Sequence, residues 1–170
     1  ILVMKIYKIT TKQIIQRPLA EVFAFFSQPE NLALITPDHL AFNIITPPPV
    51  EMKQGAIIDY TIRLFKVSIH WRTLITSFEP PFKFVDEQIK GPYSFWHHTH
   101  TFKERPYGVE IQDEVHYSIP FGILGQIMHA IWIKNDLKKI FVHREKIIDN
   151  LFAQENYRDY LPAFAQEKTK

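Results

Sequence analysis

Apolar and polar residues alternate through most of the middle of the chain and recur at helical spacing near its two ends. Alternation marks a strand with one buried face, and recurrence every three or four residues marks a helix with one buried stripe. Lys5 to Ile15 carries β-branched residues at Ile6, Ile9, Thr10, Thr11, Ile14 and Ile15 and predicts a first strand. Arg17-Pro18 ends it, and Pro18 suits the first turn of a helix. Leu19 to Gln28 follows with Leu19, Val22, Phe23 and Phe26 at helical spacing. Pro29 stops that helix and opens a second short one, which ends before Pro37.

A run of strands comes next. Ala41 to Thr46 is closed by Pro47-Pro48-Pro49, and Ala56 to Phe65 places Ile58, Tyr60, Ile62 and Leu64 on one face. Val67 to Phe78 follows through a tight connection near Lys66, with a corner at Pro80-Pro81. Phe84 to Lys90, Ser94 to Glu104 and Val109 to Ile119 complete the set. Arg105-Pro106-Tyr107-Gly108 is a hairpin turn in which Gly108 is free to take a positive φ. Short connections between successive strands imply an antiparallel meander. From Ile123 to Phe152 the pattern turns helical, with Leu124, Ile127, Ile131, Leu137, Ile140, Phe141, Ile147, Ile148 and Leu151 on a broad stripe. Such a helix is ~45 Å long and crosses a whole sheet.

The order is strand, two short helices, six strands, long helix. The fold class is therefore α+β, a curved antiparallel sheet wrapped around the C-terminal helix. Helix and curved sheet touch at their ends and leave a gap between, and such gaps hold ligands.

Composition narrows the function. The 170 residues fit one domain, assigned to 1–153, with 154–170 as a polar and mobile C-terminal tail in which Tyr157, Tyr160 and Phe164 remain able to pack. A net charge of +2, with both signs spread along the chain, leaves no footprint for nucleic acid or an anionic membrane. Lys138, Lys139 and Lys146 read as a solvated helix face. No apolar run reaches the ~18 residues of a spanning helix, so no integral membrane association is expected. Cysteine is absent, which excludes disulfides, thiolate metal sites and thiol nucleophiles. The opening ILVMKIYK does not read as a signal peptide, Met4 is a candidate initiator, and the expected location is cytoplasmic. Aromatics at 14% against five glycines mean that bulky rings fill or line something.

The most informative stretch is GPYSFWHHTHTF, Gly91 to Phe102. Strand geometry puts Trp96, His98, His100 and Phe102 on one face. Phe84, Asp86 and Gln88 share a face on the preceding strand, and Ile111, Asp113, Val115 and Tyr117 on the following one. If these faces coincide, they gather more polarity than a dry core accepts unless the groups pair with each other. Four readings stay open. The histidines brace the sheet against Asp86 or Asp113. Or they orient the polar end of a ligand, together with Asp113 and Tyr117, between walls of Tyr60, Ile62, Trp71, Ile127 and Ile131. Or His98, Asp113 and Tyr117 act as general acid and base. Or two histidines and an aspartate hold a metal, although alternating histidines are common without one. Arg144 is placed to reach a carboxylate from the long helix. The sequence calls for no cofactor, and the partner it implies is a small hydrophobic molecule.

The element order, the string FVDEQIKGPYSFWHHTHTF and DEVHYSIPFGILGQI after it resemble the START-related helix-grip (SRPBCC) superfamily, within it the bacterial ligand-binding and polyketide cyclase/dehydrase-like members. PLAEVFAFFSQPENLALITP matches that superfamily's opening, in which two short helices support the sheet. The resemblance implies a helix-grip fold from Tyr7 to Phe152 and a cavity for a lipid, polyketide or aromatic metabolite. It covers lipid carriers, hormone and steroid binders, aromatase/cyclases and chaperone-associated domains alike, so it does not choose among them.

Overall fold

Seven antiparallel strands form one sheet in the order β1-β7-β6-β5-β4-β3-β2 in a computed structural model that describes residues 4–162 and Gln166. The strands are β1 (Tyr7–Ile15), β2 (Asn43–Ile44), β3 (Ile57–Leu64), β4 (Val67–Glu79), β5 (Lys83–Lys90), β6 (Phe95–Arg105) and β7 (Gly108–Ser118). Between β1 and β2 lie α1 (Leu19–Phe26), a 3₁₀ turn (Pro29–Asn31) and α2 (Leu32–Ile35). After β7 come α3 (Gly122–Met128), a π-helical turn (His129–Ile133) and α4 (Lys134–Phe152), a continuous helical run of 31 residues. The expected element order is present throughout.

The β6–β7 hairpin sets the register that matters most. Its two-residue turn pairs Arg105 with Gly108, and counting back along the ladder places His100 opposite Asp113 and Trp96 opposite Tyr117. Gly108 has φ 139°, and a Cβ there would meet the Ile15 carbonyl oxygen of β1 at 2.6 Å. This close approach lets β1 add to the edge. The strand expected over Ala41 to Thr46 shortens to Asn43–Ile44. Asp38–Leu40 is a 3₁₀ turn, and Ala41 takes a left-handed φ of 44°, which breaks the extended backbone before the ladder can start.

At one end of the sheet the core is solid. Val22, Phe23, Phe25 and Phe26 of α1 pack on Phe84, Phe102, Val109 and Ile111 of the sheet and on Ile148, Leu151 and Phe152 of α4. Phe102 meets Phe23 edge-on with ring centroids 5.2 Å apart. Arg17 locks this end by donating from Nη2 to the carbonyl of Gln154 at 2.6 Å and to that of Phe152 at 3.1 Å, satisfying backbone acceptors that the end of α4 leaves open. The segment beyond Phe152 stays with the core. Tyr157 and Leu161 are buried in the same cluster, and Tyr157 donates its hydroxyl to Glu21 at 2.9 Å. The tail expected to be mobile is thus docked as far as these residues, while Phe164 lies outside the described residues.

The long helix departs from a regular α-helix at one place. The π turn accommodates one extra residue, which rotates everything before it by about 100° from where an unbroken α-helix would put it. Gly125 and His129 therefore face inward. A Cβ on Gly125 would meet the Pro120 carbonyl oxygen at 1.9 Å, so only glycine allows this approach. Ile127 and Ile131, expected to line the cavity, turn outward and are 50% and 74% exposed. The apolar stripe in the sequence presumes a uniform helix, and the π turn breaks that premise.

Candidate functional site

The site starts from strand alternation on β6. Trp96, His98, His100 and Phe102 are all buried on one face, and their neighbours on β5 and β7 bring Asp86 opposite His98 and Asp113 opposite His100. His98 Nε2 donates to Asp113 Oδ1 at 2.8 Å, and His100 Nε2 donates to Asp86 Oδ2 at 2.7 Å. The bonds cross, so each histidine also lies near the other carboxylate: His100 Nδ1 is 3.0 Å from Asp113 Oδ1 and His98 Nδ1 is 3.7 Å from Asp86 Oδ2. The two imidazoles lie 3.8 Å apart. Arg144 arrives from α4 with Nη2 3.5 Å from Asp113 Oδ1 and its guanidinium over the Phe26 ring.

The charges of this buried group cancel in a particular way. Burial pushes the Asp113 carboxyl up, but Arg144 and the two histidines outweigh it and hold the group well below the usual carboxylate range. Burial likewise raises Asp86, and His98 and His100 more than reverse this. Burial disfavours the His100 cation, yet the carboxylates of Asp113 and Asp86 overcome it and the pKa ends above the ordinary value. For His98, burial and the neighbouring His100 together win, and the pKa falls. With His100 protonated and His98 neutral, two carboxylates, one guanidinium and one imidazolium would sum to zero, and a second imidazolium would upset that balance. Asp86, His98 and His100 also have the spacing of a cation site, with ligand atoms within 4.8 Å of one another. Both Nε2 atoms are already turned to carboxylates, and Arg144 adds positive charge beside Asp113. These features favour the ion-pair network over a metal centre.

A cavity of about 220 Å³ opens beside this group, between the sheet, the short helices and α4. Tyr60, Ile62, Trp71, Asp86, Trp96, His98 and His100 line it, as the sequence pattern suggests. The helical wall is made by Leu137, Ile140, Phe141 and Arg144, one to two turns beyond the residues expected there. Tyr60 and Trp71 stack at 5.8 Å, and Trp71 meets Trp96 edge-on at 5.4 Å. Asp113 stands behind the histidines and does not reach the cavity. Gln88 instead braces the Gly91–Tyr93 turn, bonding the Tyr93 carbonyl at 2.7 Å and its N–H at 3.1 Å. Tyr117 is fully buried elsewhere, its hydroxyl 2.7 Å from His129 Nε2, with Tyr7 stacked on that imidazole at 3.6 Å. Burial pushes the Tyr117 phenol up to about 12. The acid–base trio of His98, Asp113 and Tyr117 is therefore two separate pairs.

Several wall residues carry buried polar atoms without a hydrogen-bond partner: Gln28 Oε1, Asn31 Oδ1, Trp71 Nε1 and Arg144 Nε. Buried polar atoms are rarely left so. Gln28 and Asn31 were not candidates from sequence. They sit in the connection after α1, and only the fold brings that connection over the sheet.

No family model matches the chain, and no curated protein matches it. Solved structures do. The chain resembles TTHA0849 from Thermus thermophilus with a TM-score of 0.64 at 10% identity, covering 84% of this chain and 97% of that one. It resembles the di-domain ARO/CYC StfQ from the steffimycin biosynthetic pathway with a TM-score of 0.63 at 12% identity, covering 84% of this chain and 49% of StfQ, about half of its length. The major latex-like protein 151 of Panax ginseng aligns with a TM-score of 0.61 at 10% identity, over 85% of this chain and 96% of that one. At these identities the likeness is one of fold, and among the described residues no helix is long and apolar enough to cross a membrane.

Proposed function

We propose that this chain, which has the helix-grip fold of the START-related superfamily, binds a small and mostly apolar molecule with an uncharged polar end in the cavity between its sheet and α4. The observation that carries the reading is the cavity of about 220 Å³ itself, walled by aromatic and aliphatic side chains with Asp86, His98, His100 and Arg144 among them. Trp71 Nε1 and Arg144 Nε are donors, and Gln28 Oε1 and Asn31 Oδ1 are acceptors. With His100 protonated the ion-pair network carries no net charge, and a charged ligand end would then have no counter-ion. At about 220 Å³ the cavity lies just under the ~300–1,000 Å³ of drug-sized pockets, which suits a compact polyketide or aromatic metabolite, or one end of a longer lipid. An open cavity argues against a filled interaction domain.

Native mass spectrometry of the protein as purified, with titration of the uncharged dye N-phenyl-1-naphthylamine, tests this. A co-purifying neutral metabolite or one-to-one dye binding supports it. A bare mass with no dye binding at high concentration sinks it.

A cyclase-like enzyme is the second reading, favoured by one observation. His98 lines the cavity, loses its proton readily, and is oriented from behind by Asp113, as a general base would be. Conversion of a bound poly-ketone probe that His98→Gln abolishes, with dye binding intact, would support it.

A further inference from the structure

Phe121 and the residues that α3 and the π turn face outward form a patch. Phe121, Ile123, Leu124, Ile127, Ile131 and Trp132 are all exposed, Phe121 by 79% and Ile123 by 77%. The patch continues onto the β3–β4 hairpin tip, where Phe65 meets Trp132 edge-on at 4.4 Å. From Phe121 to Trp132 it runs roughly 16 Å at the usual helical rise. Continuous apolar surface of this kind marks a place where something docks.

Two further observations say what. Phe65, Lys66 and Phe121 hold positive φ of 50°, 64° and 73°, a conformation that bulky residues avoid. At Phe65 and Lys66 the two-residue β3–β4 turn itself requires positive φ, and Phe65 and Phe121 both present their rings at the surface. The two segments that carry the patch hold basic side chains and no acidic ones. There is no Asp or Glu between Glu114 and Asp136, nor between Asp59 and Glu79. Lys66 and Arg63 stand exposed on the hairpin and Lys134 at the start of α4, and Lys5 lies near enough to act on His129. The net charge of the whole chain conceals this local arrangement. An apolar centre with an interfacial tryptophan and a cationic rim is the chemistry of a membrane-surface anchor. A second copy would set the same cations against each other.

We propose that this face docks on an anionic phospholipid surface. Ile62 and Leu64 of the same hairpin line the cavity, so docking would set that edge of the cavity against the bilayer. The inference goes beyond the ligand reading and stands without it, since a vesicle experiment involves no cavity ligand.

The test uses the whole chain with phosphatidylcholine vesicles, with and without phosphatidylglycerol. Co-sedimentation with the anionic vesicles is expected, with a blue shift of tryptophan emission that Trp132→Phe removes, because Trp71 and Trp96 are already buried. The pair Leu124→Ser and Ile131→Ser should weaken binding roughly tenfold or more. The pair Lys66→Glu and Lys134→Glu should erase the preference for anionic lipid, about fivefold or more per lysine. All four positions are exposed, so unchanged melting and dye binding would show both variants folded. No co-sedimentation with either vesicle overturns the proposal, as does binding that Leu124→Ser and Ile131→Ser leave unchanged. A dimer in sedimentation velocity that this pair dissociates, without vesicle binding, assigns the face to a second copy instead.

Discussion

Strand β6 crosses two regions built from similar residues with opposite results. At its Phe102 end, phenylalanines from α1, β5 and β6 interlock with the last turns of α4, and the cavity touches this cluster only at its border, along Phe25, Phe26, Ile35 and Phe84. At its Trp96 end, Trp71, Tyr93, Tyr117, Leu137 and Phe141 cluster as densely in aromatic content, yet a cavity remains. Between them lie His98 and His100. Aromatic content alone does not decide whether a region is solid. What decides is whether a third element fills the angle between sheet and helix. α1 does so at one end. At the other only a short α2 and its flanking turns approach.

The solid end should be the costlier to damage. Phe102→Ala deletes a ring that touches Phe23, Phe26 and Phe84, and should cost about 3–5 kcal/mol in denaturant unfolding. Ile62→Ala at the hollow end removes atoms that already face a void and should cost less than about 1 kcal/mol. Equal losses would erase the distinction. The polar boundary should come next. Asp113→Asn leaves Arg144 and an imidazolium short of a counter-charge and should cost about 3 kcal/mol by the same measurement.

A third change acts on the hollow end alone. Ile140→Trp fills cavity space from α4 and should weaken N-phenyl-1-naphthylamine binding about tenfold while stability shifts by no more than about 1 kcal/mol. A large loss of stability would mean that the wall is packed tightly after all.

The smallest expected effect is that of pH on the boundary. His100 has a raised pKa, so its contribution is full below the ordinary value of 6.5 and is lost as pH rises through the higher folded value. His98 has a depressed pKa, so its contribution is full above 6.5 and is lost as pH falls toward the lower folded value. Together they place maximal stability near the ordinary histidine value, with decline on either side. Melting across this range should show the maximum, and His98→Gln with His100→Gln should flatten it. The groups that set this balance are Asp86, Asp113 and Arg144, with Phe84 and Phe141 against the rings.

Much of this was legible in the chain, for reasons that can be named. Alternation in WHHTHTF fixes one face, and the two-residue turn at Pro106-Tyr107 fixes which β7 residues oppose it. His100 beside Asp113 then follows by counting. Tyr117 does not line the cavity because its face is correct but its depth along the strand puts it beyond, against His129. Gln28 and Asn31 were illegible because their position depends on where a connection lies in space, which no periodicity encodes. Ile127 and Ile131 were misplaced because a π turn leaves no trace in an apolar stripe.

That turn has a further consequence for how the two halves of the helix can change. In an unbroken helix, residues on one side are bound to a common phase, so a surface at one end restricts the residues available at the other. The extra residue uncouples them. α4 can drift to suit what the cavity holds, while α3 drifts to suit what lies outside, and a single deletion between His129 and Ile133 would join their fates again by swinging the outer face toward the sheet.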